Sequence, residues 1–483
     1  MIQNRGFGVD VQRKVQHSTQ VEYLTNKNGK ILTFGGMKEL SKTFKAPQRK
    51  EITMSIVTQM PMFSWDGIEN LGDLERLRLL IEHLPDEPLL RILQEERGLG
   101  RDDYPVQAMW NAVLAGVVFQ HASASSLVRE LSRNAQLRYL CGFKPWTTPT
   151  DDAVGRFLNT LVRHEVEICG IAEILQQKIR EHLPDFGKYL AMDSKAIASW
   201  SPRASKNTKI DGRREHDAAY GHKEYRGTHN DGSAWSKVVK WFGFKLHLIV
   251  DAQYELPIAW SVTPANEPDN VEGKRLVEKL VNEKPWKAEM AEYMMADKGY
   301  DDGELIRLLD QRCKIHPVID KRAMWKDKQS RQLDGGRNIS YCEDGSIYCY
   351  EDNGTSHLMA NGGYDEARHA LKKLCPARAQ GIKCKYSKDC SVKSGVRIKL
   401  STDTRIFTSV DRTSYKWKRL YNMRSSVERV NGRLDRSFGF EVHTIRGMPK
   451  MKMRCSLALL VMLGMAYGYL EEKQPHRIRK LVG

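Results

Sequence analysis

Three carboxylates stand in contexts suited to metal-assisted phosphodiester chemistry. Asp193 follows the apolar run Tyr189-Leu190-Ala191-Met192 and precedes Ser194-Lys195. Asp297 follows Met294-Met295-Ala296 and precedes Lys298-Gly299-Tyr300-Asp301. Glu428 closes the segment Tyr421-Asn422-Met423-Arg424-Ser425-Ser426-Val427-Glu428. Magnesium takes oxygen ligands in octahedral geometry, uses few protein carboxylates, and leaves positions for water and phosphate. Two such ions about 4 Å apart can activate an attacking oxygen and stabilise a leaving one. Taken singly, each acid also suits a solvated strand end, or a surface ion pair between Arg424 and Glu428. Together, on three suitable elements of a basic chain, they favour catalysis.

The elements that must hold these acids can be read from the pattern around them. Gly187 to Ser194 and Lys240 to Asp251 are strand-like, Leu256 to Thr263 follows a short turn, and Val271 to Asn282 is helical. Glu292 to Ala296 is a short apolar run ended by Asp297, Asp302 to Gln311 a helix, and Lys314 to Ile319 a further strand. This order implies a mixed α/β sheet with Asp193 and Asp297 at strand ends. Gly299 permits a tight turn after Asp297. Ser414 to Asp435 is expected as one helix, with Tyr421, Arg424 and Glu428 at i, i+3 and i+7 on one face. Glu428 then faces the metals, and the Arg424 fork suits phosphate oxygens.

The rest of the chain divides by composition. Residues 1–60 read as a basic, loosely structured arm and residues 61–184 as a helical domain for DNA binding or assembly. Leu71, Leu74, Leu77, Leu79, Leu80 and Leu84 crowd one segment, and Val106 to Gln120 and Asp152 to Leu161 are further helices. The α/β domain spans 185–320 and 401–470, residues 321–400 are a Cys-rich irregular insertion, and 471–483 a basic tail. The apolar stretch Cys455 to Leu470 is short of the ~20 residues that span a bilayer, and reads as a buried core helix. No membrane partner is expected.

The chain has 483 residues, 77 Lys and Arg against 60 Asp and Glu, and a formal net charge of +17. Such a surplus points to a polyanionic partner, because neutralised phosphates release counterions. The polar start and nine cysteines fit a cytoplasmic, reduced protein without a disulfide framework.

These motifs resemble an insertion-sequence transposase of the DDE type, in the group carrying Tyr-x2-Arg-x3-Glu. Ala191-Met192-Asp193-Ser194-Lys195, Gly243-Phe244-Lys245-Leu246-His247, Ala296-Asp297-Lys298-Gly299-Tyr300, the Tyr421 to Glu428 segment and His443-Thr444-Ile445-Arg446-Gly447 carry the likeness, in that order. Leu137 to Phe143 is similar to the N-terminal domain of such proteins. The resemblance implies an RNase H-like catalytic fold and two Mg²⁺ or Mn²⁺ ions held by Asp193, Asp297 and Glu428. It also implies cleavage and strand transfer at terminal inverted repeats of double-stranded DNA, then attack on target DNA. Tyr421 and Arg424 become DNA-contacting helpers, a homodimer joins the two ends, and a bacterial or archaeal cytoplasm is the expected setting. One position departs: the family motif reaches a Lys seven residues after the Glu, and this chain has Asp435 there, with Arg433 and Arg436 beside it as alternative sources of charge. A nuclease without strand transfer, or an inactive DNA-binding protein, are the rival readings.

Other residues could contact the same partner. Lys195 and Lys298 flank the acids, where phosphate binding and a plain surface role are both open. Between Ser199 and Lys240, Arg203, Lys206, Lys209, Arg213, Arg214, Lys223, Arg226 and Lys237 lie between Trp200 and Trp235. Basic residues with aromatics can grip a backbone and stack on bases. Cys342, Cys349, Cys375, Cys384 and Cys390 concentrate in the insertion. Four thiols suffice for tetrahedral zinc, but no pair has Cys-x2-Cys spacing, so zinc and unliganded thiols stay open.

Overall fold

The computed structural model describes residues 71–99, 103–205, 213–229, 231–283, 285–327, 329–333, 338–385, 390 and 392–479. The expected N-terminal arm, Lys206 and Lys209, and the end of the basic tail lie outside them. Gly72–Gly483 forms one compact unit.

Among the described residues seven helices precede the sheet: α1 (Leu74–His83), α2 (Glu87–Arg97), α3 (Val106–Val118), α4 (Ala124–Arg133), α5 (Ala135–Cys141), α6 (Asp151–Arg163) and α7 (Glu165–His182). Side chains start several of them. Ser123 and Ser126 form a capping box on α4, Asn134 caps α5, and Thr150 caps α6 ahead of Asp151 and Asp152. Each cap satisfies an otherwise orphaned N–H, and the two acids suit the positive helix end.

Four strands follow: β1 (Tyr189–Ala198), β2 (Ala219–Thr228), β3 (Ala234–Asp251) and β4 (Leu256–Pro264). Helices α8 (Asp269–Glu283) and α9 (Pro285–Met290), strand β5 (Tyr293–Ala296), helix α10 (Gly303–Arg307) and strand β6 (His316–Ile319) complete the central sheet. The expected helix to Gln311 changes to a π-turn after Arg307, and Lys314 ends it at φ +59°. β1, β5 and β6 run parallel, β1 also pairs antiparallel with the inner half of β3, and β4 lies on the far edge of β3. The resulting order is β4-β3-β1-β5-β6.

β2 and the outer half of β3 are a ribbon that the sequence pattern does not reveal. Residues 234–240 are exposed on both faces, so no apolar alternation marks them. Glycine–tryptophan pairs hold the ribbon instead. Gly227 faces Trp235 and Gly221 faces Trp241 across the strands. A Cβ on Gly227 would lie 2.5 Å from the Trp235 ring, so the ring packs where a side chain would otherwise be.

Residues 321–400 are more regular than expected. They contain β7 (Arg331–Gln332), β8 (Ile339–Tyr341), β9 (Ile347–Tyr350), β10 (Ser356–Leu358), β11 (Ala360–Asp365), β12 (Ala370–Leu374), α11 (Pro376–Gln380) and β13 (Val396–Lys399). These strands form two small antiparallel sheets around a core that includes Ile339, Ile347, Leu371 and Phe407. Strands of two to six residues are too short to declare a period.

Then come α12 (Tyr415–Asn422), α13 (Ser425–Phe438) and α14 (Met448–Glu471). α14 is long and apolar enough to cross a membrane by composition, but 94% of its apolar window is buried inside the protein. It packs on α7, α1, α3, α6 and β4, as a helix apolar on all sides must. The expected core helix is therefore found, and it joins the helical region to the sheet.

Candidate active site

The parallel register builds the site. Met192 pairs with Ala296 and Ala296 with Ile319, so Asp193, Asp297 and Asp320 come next, side by side. Asp297 and Asp320 follow the carboxyl ends of β5 and β6, whereas Asp193, expected at a strand end, lies mid-strand where the pairing of β1 with β5 stops and its pairing with β3 runs on to Ala198. The Asp320 N–H donates to the Ala296 carbonyl at 3.1 Å, which continues the ladder to the acids. Asp297 caps a short 3₁₀ turn (Lys298–Tyr300), its carboxylate accepting from the Gly299 N–H at 2.7 Å. Asp320 is the acid that sequence reasoning missed. Its signal was present, since it ends an apolar strand as Asp297 does.

Burial and repulsion make this edge electrostatically tense. Asp193 is 7% exposed. Burial pushes its carboxyl up to about 6, Asp297 pushes the same way, and Lys223, the Ser194 N–H and Arg424 oppose them. Beneath the acids lies Tyr300, wholly buried, its hydroxyl held protonated by burial and then by Asp193, Asp269 and Asp297. A carboxylate edge of this kind, with only oxygen donors, is a site for hard cations.

The third acid arrives differently from expectation. The segment Ser414 to Asp435 is not one helix: α12 ends at Asn422, and Met423 and Arg424 form a link of i→i+3 hydrogen bonds before α13. Tyr421 closes one helix and Arg424 opens the next. Both still lie within electrostatic reach of the acids. Burial raises the Tyr421 hydroxyl pKa, Asp320 and Asp297 add to this, and Arg424 opposes it. Arg424 lies 5.8 Å from the Tyr421 ring centroid, and donates to Glu428 at 2.8 Å. Glu428 is half exposed and joins the cluster through Arg424.

Comparison with known families settles what kind of chain this is. Residues 205–463 match the family described as Transposase DDE domain, more than half of the sequence. The chain belongs to the DDE transposase family. Residues 67–158 match a second family, described as Transposase domain (DUF772). No curated protein matches the chain. The DDE match includes Asp297 and Glu428 and begins after Asp193, so Asp193 rests on the register above. An RNase H-like fold, DNA transposition and divalent-metal chemistry come with the family.

Within this transposase fold, the departure at Asp435 has a local partner. Lys195 Nζ lies 2.7 Å from Asp435 and 3.4 Å from Glu441, and is nearly buried. Strand periodicity sets Lys195 on the same face as Asp193. The helix acid thus meets a lysine carried by β1. Arg433 does not replace it, since it turns to Glu255 at 3.2 Å and is largely buried. Arg436 and Lys298 are exposed, as are Arg213 and Arg214 at the base of the ribbon.

The remaining family-like segments brace the transposase site. A Cβ on Gly243 would lie 2.0 Å from the Ile197 carbonyl, so only glycine lets β3 approach β1 there. His247 is fully buried beside Thr263 at 2.9 Å, and Lys245 reaches Asp269 at 2.9 Å. His443 bonds the Ala198 carbonyl at 3.0 Å, and the Gly447 N–H donates to buried Glu215 at 2.9 Å. These residues align β1 and its neighbours without touching the acids. Of the insertion's thiols, Cys342 stands apart from the other four, which share one cavity.

Proposed function

We propose that this chain is a DNA transposase that binds terminal inverted repeats, cuts at the transposon ends and transfers the cut strand to target DNA. The reading is supported chiefly by one arrangement: Asp193 and Asp297 side by side on parallel strands, facing the Tyr421–Arg424–Glu428 segment. Asp193, Asp297 and Glu428 would hold two Mg²⁺ or Mn²⁺ ions. The donor set fits, because it offers only hard oxygen atoms and its buried carboxyl lacks full compensation by Lys223 and Arg424. Bound there, the ions supply a more acidic water and neutralisation of developing charge on phosphate.

The chain's own groups do the rest. Glu428 would hold the ions in place of its bond to Arg424, and the guanidinium fork would then be free for phosphate oxygens. Tyr421 packs beside that fork and orients it. Exposed Lys298, Arg436, Arg213 and Arg214 attract the DNA backbone, and their loss weakens binding on all sequences alike. Strand transfer needs two ends together, so the working form is a homodimer on DNA.

Purified full-length protein with inverted-repeat DNA and Mg²⁺ should give end cleavage and joined products on a sequencing gel. Asp193→Ala, Asp297→Ala and Glu428→Ala should each reduce both to background while circular dichroism stays native. Wild-type-like cutting in any of the three removes that residue from the metal site. Cutting without joined product gives the nuclease reading instead.

A further inference from the structure

The transposase chemistry leaves unused four thiols that the fold gathers in the insertion. Cys349 lies on β9, Cys375 follows β12 at the start of α11, and Cys384 and Cys390 lie in the segment leading to β13. Separated by up to 41 positions in the sequence (349 to 390), all four line one cavity of about 40 Å³. That volume suits a single ion or water rather than an organic ligand. All nine cysteines of the chain are free thiols, so no disulfide accounts for the gathering.

Polar groups crowd the edge of this cavity. Glu351, His357 and Cys384 place ligand atoms within 4.8 Å of one another, and His357 Nε2 meets Glu351 at 2.9 Å. The Asn338 side-chain amide donates to the Cys390 sulfur at 3.9 Å, a contact that favours a thiolate. Burial pushes the Cys349 thiol up to about 11, and Cys375, Cys390 and Cys384 push further in the same direction.

Such an ion would also brace the fold here. Residues 321–400 form two small sheets on a limited core. Units of this size rarely bury enough apolar surface to hold themselves, and natural ones add disulfides or a metal. The thiols sit where one bond set would tie the loop after α11 onto the four-stranded sheet.

We propose that Cys349, Cys375, Cys384 and Cys390 hold one structural zinc ion. Four sulfur ligands close a tetrahedral site and leave no open position for chemistry. Loading releases one proton from each thiol that becomes a ligand, and no electrons move. The Glu351–His357 pair steadies Cys384 from outside the ligand set. Cys342 takes no part.

The test uses full-length protein purified under reducing conditions from zinc-supplemented medium. Elemental analysis should find one zinc per chain. Titration of the wild type with a mercurial should release that zinc as four thiols react, which needs no variant to fold. Cys349→Ser, Cys375→Ser, Cys384→Ser and Cys390→Ser should each lose the metal, and Cys342→Ser and His357→Ala should keep it. Wild-type protein without zinc, or with iron in its place, overturns the proposal. So does zinc that survives Cys349→Ser but leaves with His357→Ala.

Discussion

The carboxylate edge of the central sheet and the thiol cavity of the insertion both gather groups that repel one another when charged, but they are built in opposite ways. Asp193 and Asp297 are fixed by the register of parallel strands whose backbones are buried and fully paired. The four thiols come from short strands and loops, with Cys349 on a sheet and Cys384 and Cys390 off it. The rigid scaffold tolerates tension that Lys223, the Ser194 N–H and Arg424 relieve only in part, as a site waiting for substrate and metal requires. The loop-built cavity has no such support, so its ligand would hold the fold together. On this reading one region would cost stability to gain reactivity, and the other would gain stability from the proposed zinc.

This contrast predicts opposite signs for substitutions. Replacing a thiol ligand should destabilise the insertion, whereas Asp193→Asn should stabilise the metal-free protein. The Asp193 carboxyl moves from the ordinary 3.8 to about 6 on folding, with burial the main cause. The folded state thus takes up a proton between those values, and stability falls as pH rises through that window. Below about pH 4 the carboxyl is protonated in both states and the asparagine gives no gain. Above about pH 6 the gain is complete, on the order of 3 kcal/mol. Denaturation of both proteins at pH 4 and pH 8, in chelator, measures the difference. Equal stabilities at pH 8 would break the comparison.

The Lys195–Asp435 pair is the next largest lever. Burial raises the Asp435 carboxyl pKa and Lys195 opposes that shift, so the contact favours the charged acid. Asp435→Asn leaves a nearly buried ammonium with only Glu441 at 3.4 Å. The expected loss is about 2 kcal/mol, below the cost of breaking a fully buried pair. The double exchange Lys195→Asp with Asp435→Lys should recover part of it. A double-mutant cycle with no coupling would show that the two groups do not depend on each other.

Legibility in the sequence followed the same divide. Asp193 and Asp297 could be found because an apolar run leading into an acid is a local signal, and the strands that carry them were readable for the same reason. The core helix Met448–Glu471 was legible from composition alone. The ribbon of β2 and outer β3 was not, because a two-stranded element with both faces in water has no apolar period to display. The break at Met423 and Arg424 was hidden as well, since neither residue is a helix breaker and both keep helical dihedrals. Cysteine positions in the insertion listed no spacing that predicts convergence. Their meeting depends on how two sheets pack, which is a tertiary fact.

Asp320 gives the smallest and most discriminating prediction. It ends β6 beside Asp297, as Asp297 ends β5 beside Asp193, yet it is not one of the three acids assigned to the metals. Two of its hydrogen-bond roles are structural: its N–H continues the ladder, and its carboxylate accepts from the Lys321 N–H at 2.8 Å. Its charge also reaches Tyr421. An acid so placed tunes the metal site from outside, and losses at such positions are typically 10–100-fold in metal affinity. Partial exposure puts Asp320→Asn at the low end, about tenfold. The Mg²⁺ concentration for half-maximal cleavage should rise by that factor while the rate at saturating Mg²⁺ stays near wild type. A collapse of the saturated rate would make Asp320 a direct ligand, and the carboxylate edge would then be a site of four acids. No change in either quantity would confine Asp320 to the ladder, leaving the tension at this edge to Asp193 and Asp297 alone.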